Sequence, residues 1–198
     1  MTTHPALQVD VYPATAERWP DLELLFSARR ATSSCWCMFW RLRRTDFSRQ
    51  TDDEKKAALQ AHTAGRLAPG VLAYVAGKAI GWCSVGPRED FVALEHSRIL
   101  KRLDDQPVWS IVCFFVATPF RKKGVMAELL RGAVAYAKQN GAQVIESYPL
   151  DLQSHQPAGQ KLPGFNSYMG IASVFQAAGF VKVSAASETQ VMMRYTVA

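Results

Sequence analysis

The chain has 198 residues, 48% of them apolar and 20% charged, which suits one globular domain and excludes disorder, collagen and coiled coil. Lys and Arg number 23 against 17 Asp and Glu, and six of the arginines (Arg29, Arg30, Arg41, Arg43, Arg44, Arg49) fall between residues 29 and 49, where Asp46 is the sole acid. No apolar run approaches the ~20 residues of a membrane span, and MTTHPALQVD lacks the basic and apolar regions of an export signal; the expectation is a cytoplasmic protein whose four cysteines are reduced thiols.

Residues 7–13 (LQVDVYP) read as a first strand and 15–29 as a helix with Leu22, Leu25, Phe26 and Arg29 on one face. Thr51 and Glu54 have capping-box spacing and open a second helix, 52–67, which stops before Pro69-Gly70. Two runs of strand formers follow, 71–76 and 79–86, linked by Gly77-Lys78 as a hairpin. Residues 88–105 read as a loop with a short helix. VWSIVCFFVA, 108–117, is apolar on both alternating faces except at Ser110, the pattern of a central strand covered on both sides. A strong amphipathic helix is predicted over 123–139, with stripes Val125, Leu129, Ala133, Tyr136 and Met126, Leu130, Val134, ending at Gly141. A strand over 143–148, a long loop over 149–167, a helix over 168–178 and two last strands near 180–185 and 189–197 complete the chain.

The order is β-α-α-β-β-β-α-β-α-β-β, with a right-handed parallel crossover over 108–148. The fold class is α/β with an α+β mixed sheet, in one domain spanning residues 1–198.

The stretch from Phe114 to Leu130 carries the chemistry. A buried strand enters a basic turn, Arg121-Lys122-Lys123, and then an amphipathic helix. The first N–H groups of a helix lack internal partners, and the dipole is positive there. Gly124 lets the backbone approach an oxyanion closely. The nucleoside-triphosphate loop G-x-x-x-x-G-K-[ST] is absent, and one glycine does not make a dinucleotide fingerprint. A basic helix start after a core strand, with no ligand, remains the plain alternative.

Arg121-Lys122-Lys123-Gly124-Val125-Met126 resembles the [QR]-x-x-G-x-[GA] signature of the GCN5-related N-acetyltransferases (GNAT), and Phe175-Gln176-Ala177-Ala178-Gly179-Phe180 resembles that family's last helix with its following "GF". The resemblance implies a central mixed sheet of about six or seven strands with about four flanking helices. It implies acyl transfer from acetyl-CoA to the primary amine of a small-molecule or amino-acid-like acceptor, by direct attack in a ternary complex. The cofactor would lie along Phe114, Phe115 and Val116, with its pyrophosphate on Arg121, Lys122, Lys123, Gly124, Val125 and Met126. Met126 departs from the family's Gly or Ala and must find room for its side chain. The family leaves monomer and homodimer both open.

For proton transfer, Phe175 stands where many members carry a Tyr acid, so Tyr168 is the substitute candidate; its alternative is an amphipathic side chain near cofactor or core. Glu146, an acid in a core strand, is the candidate base; its alternative is an ion pair with an arginine of the basic window. Trp36, Phe39 and Trp82 are the candidate acceptor wall, against plain core packing. Cys35-x-Cys37 is short of zinc spacing with no nearby His, so no metal is expected. A CoA-binding module without catalysis, and a protein- or RNA-directed acyltransferase using the 29–49 patch, are the competing functions; nucleic acid is the less favoured partner.

Overall fold

The computed structural model describes residues 7–152 and 166–197. Seven strands form one sheet in the order β1-β2-β3-β4-β5-β7-β6: β1 Asp10–Pro13, β2 Gly70–Val75, β3 Lys78–Pro87, β4 Trp109–Val116, β5 Val144–Ser147, β6 Val181–Ala185 and β7 Val191–Thr196. Every neighbouring pair is antiparallel except β4 and β5. The helices are α1 Trp19–Ser27, α2 Arg30–Ser33, α3 Arg44–Arg49, α4 Asp52–Thr63, α5 Val92–Glu95, α6 Val125–Gln139 and α7 Ala172–Ala177.

The expected boundaries shift for local physical reasons. Val75 pairs with Lys78, so the hairpin turn is Ala76-Gly77, one residue before the expected link. Both turn residues have positive φ, 48° and 74°, as the tight turn matching strand twist requires. The helix expected over 15–29 ends at Ser27, so Arg29 lies beyond it, and its guanidinium donates to the Thr118 hydroxyl. The capping box of α4 forms: Thr51 N–H donates to Glu54 Oε2 at 2.7 Å and Glu54 N–H to Thr51 Oγ1 at 3.2 Å. That helix stops at Thr63, four residues early. The helix expected over 168–178 is broken at Gly170, φ 92°, into a 3-10 turn (Asn166–Met169) and α7. Of the loop expected over 149–167, residues 153–165 lie outside the described residues.

α6 buries Val125, Leu129, Leu130, Ala133, Tyr136 and Ala137 against one face of the sheet, and α7 shares that layer through Phe175. The other face carries α1, the 34–42 loop and α4 over Leu72, Tyr74, Trp82 and Phe115. A third cluster, with Phe91, Leu94, Leu100, Val112 and Tyr148, sits beneath the 88–103 segment. The two-sided apolar pattern of β4 has a specific cause. Ser84 pairs with Cys113 and Val85 with Ile111, so Val112 is an extra residue in β4. Trp109 and Ile111 belong to the α6 layer, and so do Phe114 and Val116; the bulge switches parity between them.

β4 and β5 pair over only three rungs, Trp109–Ile145, Ser110–Glu146 and Ile111–Ser147. β4 then continues to Val116, while the chain after β5 reaches Leu150 and bridges Ile171 and Gln190 instead. The two parallel strands therefore part.

Candidate active site

β4 ends at Val116, and a 3-10 turn, Thr118–Phe120, leads into the basic segment. Lys122 and Gly124 both have positive φ, 59° and 79°. This turns the backbone twice before α6 starts at Val125, two residues later than expected. A Cβ at Gly124 would meet nothing within 4 Å; the glycine answers the left-handed conformation, not crowding. Among the described residues, no protein oxygen makes a well-formed hydrogen bond to the amides of Lys122 through Met126, which lie in the turn and the first residues of α6. They form an unbonded row at a helix start, the requirement for holding an oxyanion. Arg121 is less free: its Nε donates to the Val116 carbonyl at 2.9 Å.

Met126 finds its room at Gly170. A Cβ there would lie 2.5 Å from Met126 Cε and 2.8 Å from Phe175 Cε2. Phe175 itself is fully buried, edge-on to Phe114 and Phe180 at 5.8 and 5.1 Å.

Beside the opened edge of β4 lies a cavity of about 90 Å³. Phe115, Trp82, Phe26, Phe39 and Tyr168 line it, together with the thiols of Cys35, Cys37 and Cys113. Two of the three expected acceptor residues, Phe39 and Trp82, are thus in the wall, with Tyr168 beside them. Trp36 is not in that wall. It is 4% exposed and packs on Trp19 and Phe26 at 5.9 and 5.7 Å, the core alternative. Trp36 and Cys37 both hold positive φ, 44° and 54°, an unusual pair for residues with side chains. Trp82 Nε1 donates to Cys37 Sγ at 3.2 Å. A hydrogen bond from the Cys113 thiol is the main influence lowering Cys37, to about 7 against burial. Burial raises Cys35 to about 11, and the bond to Cys37 together with burial raises Cys113. The sequence singled out Cys37 only as part of a pair short of zinc spacing, and spacing alone could not bring residues 37, 82 and 113 together.

Glu146 lies elsewhere. It sits in β5 at the paired end of the two parallel strands, 1% exposed and outside the cavity wall. Arg88 Nη1 donates to its Oε2 at 2.9 Å, Arg194 Nε to its Oε1 at 2.9 Å, and the Tyr148 hydroxyl to its Oε2 at 2.9 Å. Its arginine partners come from outside the 29–49 window. That window is itself dispersed. Arg41 is buried, bonds the Pro69 carbonyl at 3.0 Å and covers the Phe91 ring, while Arg44 lies over Phe39 at 3.8 Å. Among the described residues, no group of three His, Cys, Asp or Glu is placed to hold a metal ion, and no helix is long and apolar enough to cross a membrane.

Comparison with known proteins agrees with this geometry. Residues 33–158 match the model of the acetyltransferase (GNAT) family. No curated protein matches the chain. Many solved structures do. A histone acetyltransferase HPA2 and related acetyltransferase from Corynebacterium glutamicum has TM-score 0.55 and 16% identity, with 96% of this chain and 97% of that one covered. An agmatine N-acetyltransferase has TM-score 0.58 and 9% identity, covering 96% and 99%. An aminoglycoside N-acetyltransferase in complex with CoA has TM-score 0.53 and 18% identity, covering 93% and 95%. The family match and the shared fold make this chain a member of the GNAT acetyltransferase family, with the mixed α/β sheet expected of it.

Proposed function

We propose that the protein transfers an acetyl group from acetyl-CoA to the primary amine of a small acceptor. The observation that carries this is the unbonded amide row at Lys122–Met126 beside the parted edge of β4. Those amides, with Lys122 and Lys123, would hold the pyrophosphate. The edge at Phe114, Phe115 and Val116 would hold the pantetheine arm. When bound, acetyl-CoA supplies an activated thioester.

The chain's own residues do the rest. A backbone N–H on the open edge of β4, near Phe115 or Val116, offers a hydrogen bond to an oxygen that gains charge. The aromatic cavity excludes water and orients the acceptor amine. Tyr168, in the cavity wall, gives a proton to the leaving thiolate, a task for which Phe175 has no hydrogen to donate. The Cys37 thiolate takes the amine proton, being the cavity group that ionises near neutrality. Glu146 is assigned to fastening the paired end of β4 and β5, since both of its oxygens are already bonded.

The test is calorimetric and kinetic. Saturating acetyl-CoA at ~100 times its Kd adds ~2.7 kcal/mol, so the melting temperature rises by roughly 5–10 °C. Gly124→Asp, placing a carboxylate in the amide row, should abolish that rise while the protein stays folded. Absence of any rise at millimolar acetyl-CoA would sink the assignment. A rise without thiol release across an amine panel would leave a binding module of the same fold.

A further inference from the structure

Next to the aromatic cavity, and sharing Trp40 and Met169 with it as common walls, is a surface groove of about 520 Å³. Its other walls include Arg43 and Arg44 at the start of α3, and His96 and Arg98 after α5. Two segments more than fifty residues apart therefore bring three guanidiniums and an imidazole to one opening. Among the described residues, no Asp or Glu lines this groove. Among the described residues, Arg43, Arg44 and Arg98 have no carboxylate partner; Glu95 pairs with Arg88 and Arg102 and Asp90 with Arg41, while Asp46 on α3 accepts from the Thr45 hydroxyl. The arrangement differs from a solvated face of mixed sign, in which opposite charges interleave. Arg44 is positioned as well as charged, because its guanidinium stacks on Phe39, which also lines the inner cavity.

From this geometry we infer that the acceptor is an amine that also carries an oxyanion, a carboxylate or a phosphate, which the Arg43–Arg44–Arg98 groove holds while the amine enters the aromatic cavity. The inference rests on the transferase reading and narrows its acceptor. A guanidinium cluster binds planar carboxylate or phosphate oxygens through paired N–H donors. It repels an acceptor with further positive charge. The same field draws anions to the mouth of the site, and salt weakens it.

The experiment compares amines that differ only in the anion: phenylalanine against phenethylamine, arginine against agmatine, and O-phosphoethanolamine against ethanolamine, each with acetyl-CoA and thiol release as the readout. Expected is a preference in kcat/KM of at least about tenfold for the anionic member, shrinking as salt rises. The carboxylate and phosphate arms decide which oxyanion is meant. The exposed replacements Arg43→Ser and Arg98→Ser together should raise KM for the anionic member about tenfold or more, leaving kcat, the melting temperature and the acetyl-CoA-induced rise unchanged. Calorimetric titration with inorganic phosphate, with the Lys122–Met126 turn already filled by saturating CoA, gives a readout free of turnover: binding in the native chain, lost in the double variant. Equal use of both members of every pair, or preference for the uncharged partner, or phosphate binding undisturbed by the double variant, overturns the inference and leaves the transferase standing. Loss of the acetyl-CoA response in the native chain fails the transferase reading instead.

Discussion

Cys37 is the residue whose setting differs most from its sequence context. Hydrogen bonds from Cys113 and Trp82 stabilise its thiolate and hold it at about 7, below the ordinary 9.0, although burial opposes this. In the unfolded chain the thiol keeps its proton up to pH 9.0, so between pH 7 and 9 the unfolded state binds more protons. Cys37 therefore contributes stability that is complete above pH 9.0 and lost as pH falls through about 7. Cys35, raised to about 11, works the other way above 9.0, so this pair's summed contribution peaks near that pH. Chemical denaturation across pH should show the rise from 7 to 9, and Cys37→Ser should flatten it. If Cys37 is the base, kcat rises over the lower part of this window and the variant loses that limb; a retained limb would assign the proton to another group.

Glu146 carries a prediction of a different kind. Replacing it with Gln leaves Arg88 and Arg194 facing a neutral amide in a buried site, a loss of about 3–5 kcal/mol. The melting temperature should fall by roughly 6–20 °C. A variant of native stability with abolished turnover would restore Glu146 to proton transfer. The acid in a core strand was visible in the sequence, and so was its need for a partner. Arg88 and Arg194 were not, because they come from a loop and from the last strand.

At the scale of elements, α6, β4 and the hairpin were legible because each announces itself locally, by a stripe, an apolar run and a glycine turn. Pairing of β4 with its neighbours was not. The bulge at Val112 shows only in the register with β3, and a run apolar on both faces conceals a change of parity. The break at Gly170 was hidden for a related reason: its neighbours in space, Met126 and Phe175, are what crowd a side chain there. Gly170→Ala should cost about 1–3 kcal/mol, from positive φ together with the clash on Met126 Cε. Adding Met126→Ala removes the clash on Met126 Cε and leaves the contact with Phe175 and the backbone strain. The double variant should be more stable than the two single losses added together. Simple additivity in denaturant unfolding would show that the two residues do not share space.

Over the whole molecule, element order pointed to a mixed sheet with a parallel crossover from β4 to β5, since short connections leave few topologies, but not to the order of the strands. The cavity and the groove beside it were the least legible part. Their walls come from residues 26, 32–45, 82, 93–100, 113–115, 168–169 and 190, and no periodicity relates segments so far apart. The turn before α6 was legible as a local feature, because a strand, a basic turn and a helix start follow one another in one contiguous stretch of backbone. The six-arginine window taught the converse: charges adjacent in sequence were divided between the core, the turn after β4 at Thr118 and the groove.

The junction of β4 and β5 is closed by an ionic bolt, Arg88–Glu146–Arg194 with Tyr148 and Ser110 against it, placed in the interior. Mobile ions reach such a bolt poorly, whereas they readily loosen an outlying pair such as Lys182–Asp151. The angle at which the two strands diverge is thus insulated from electrolyte, and the gap between them keeps its width from dilute buffer to brine.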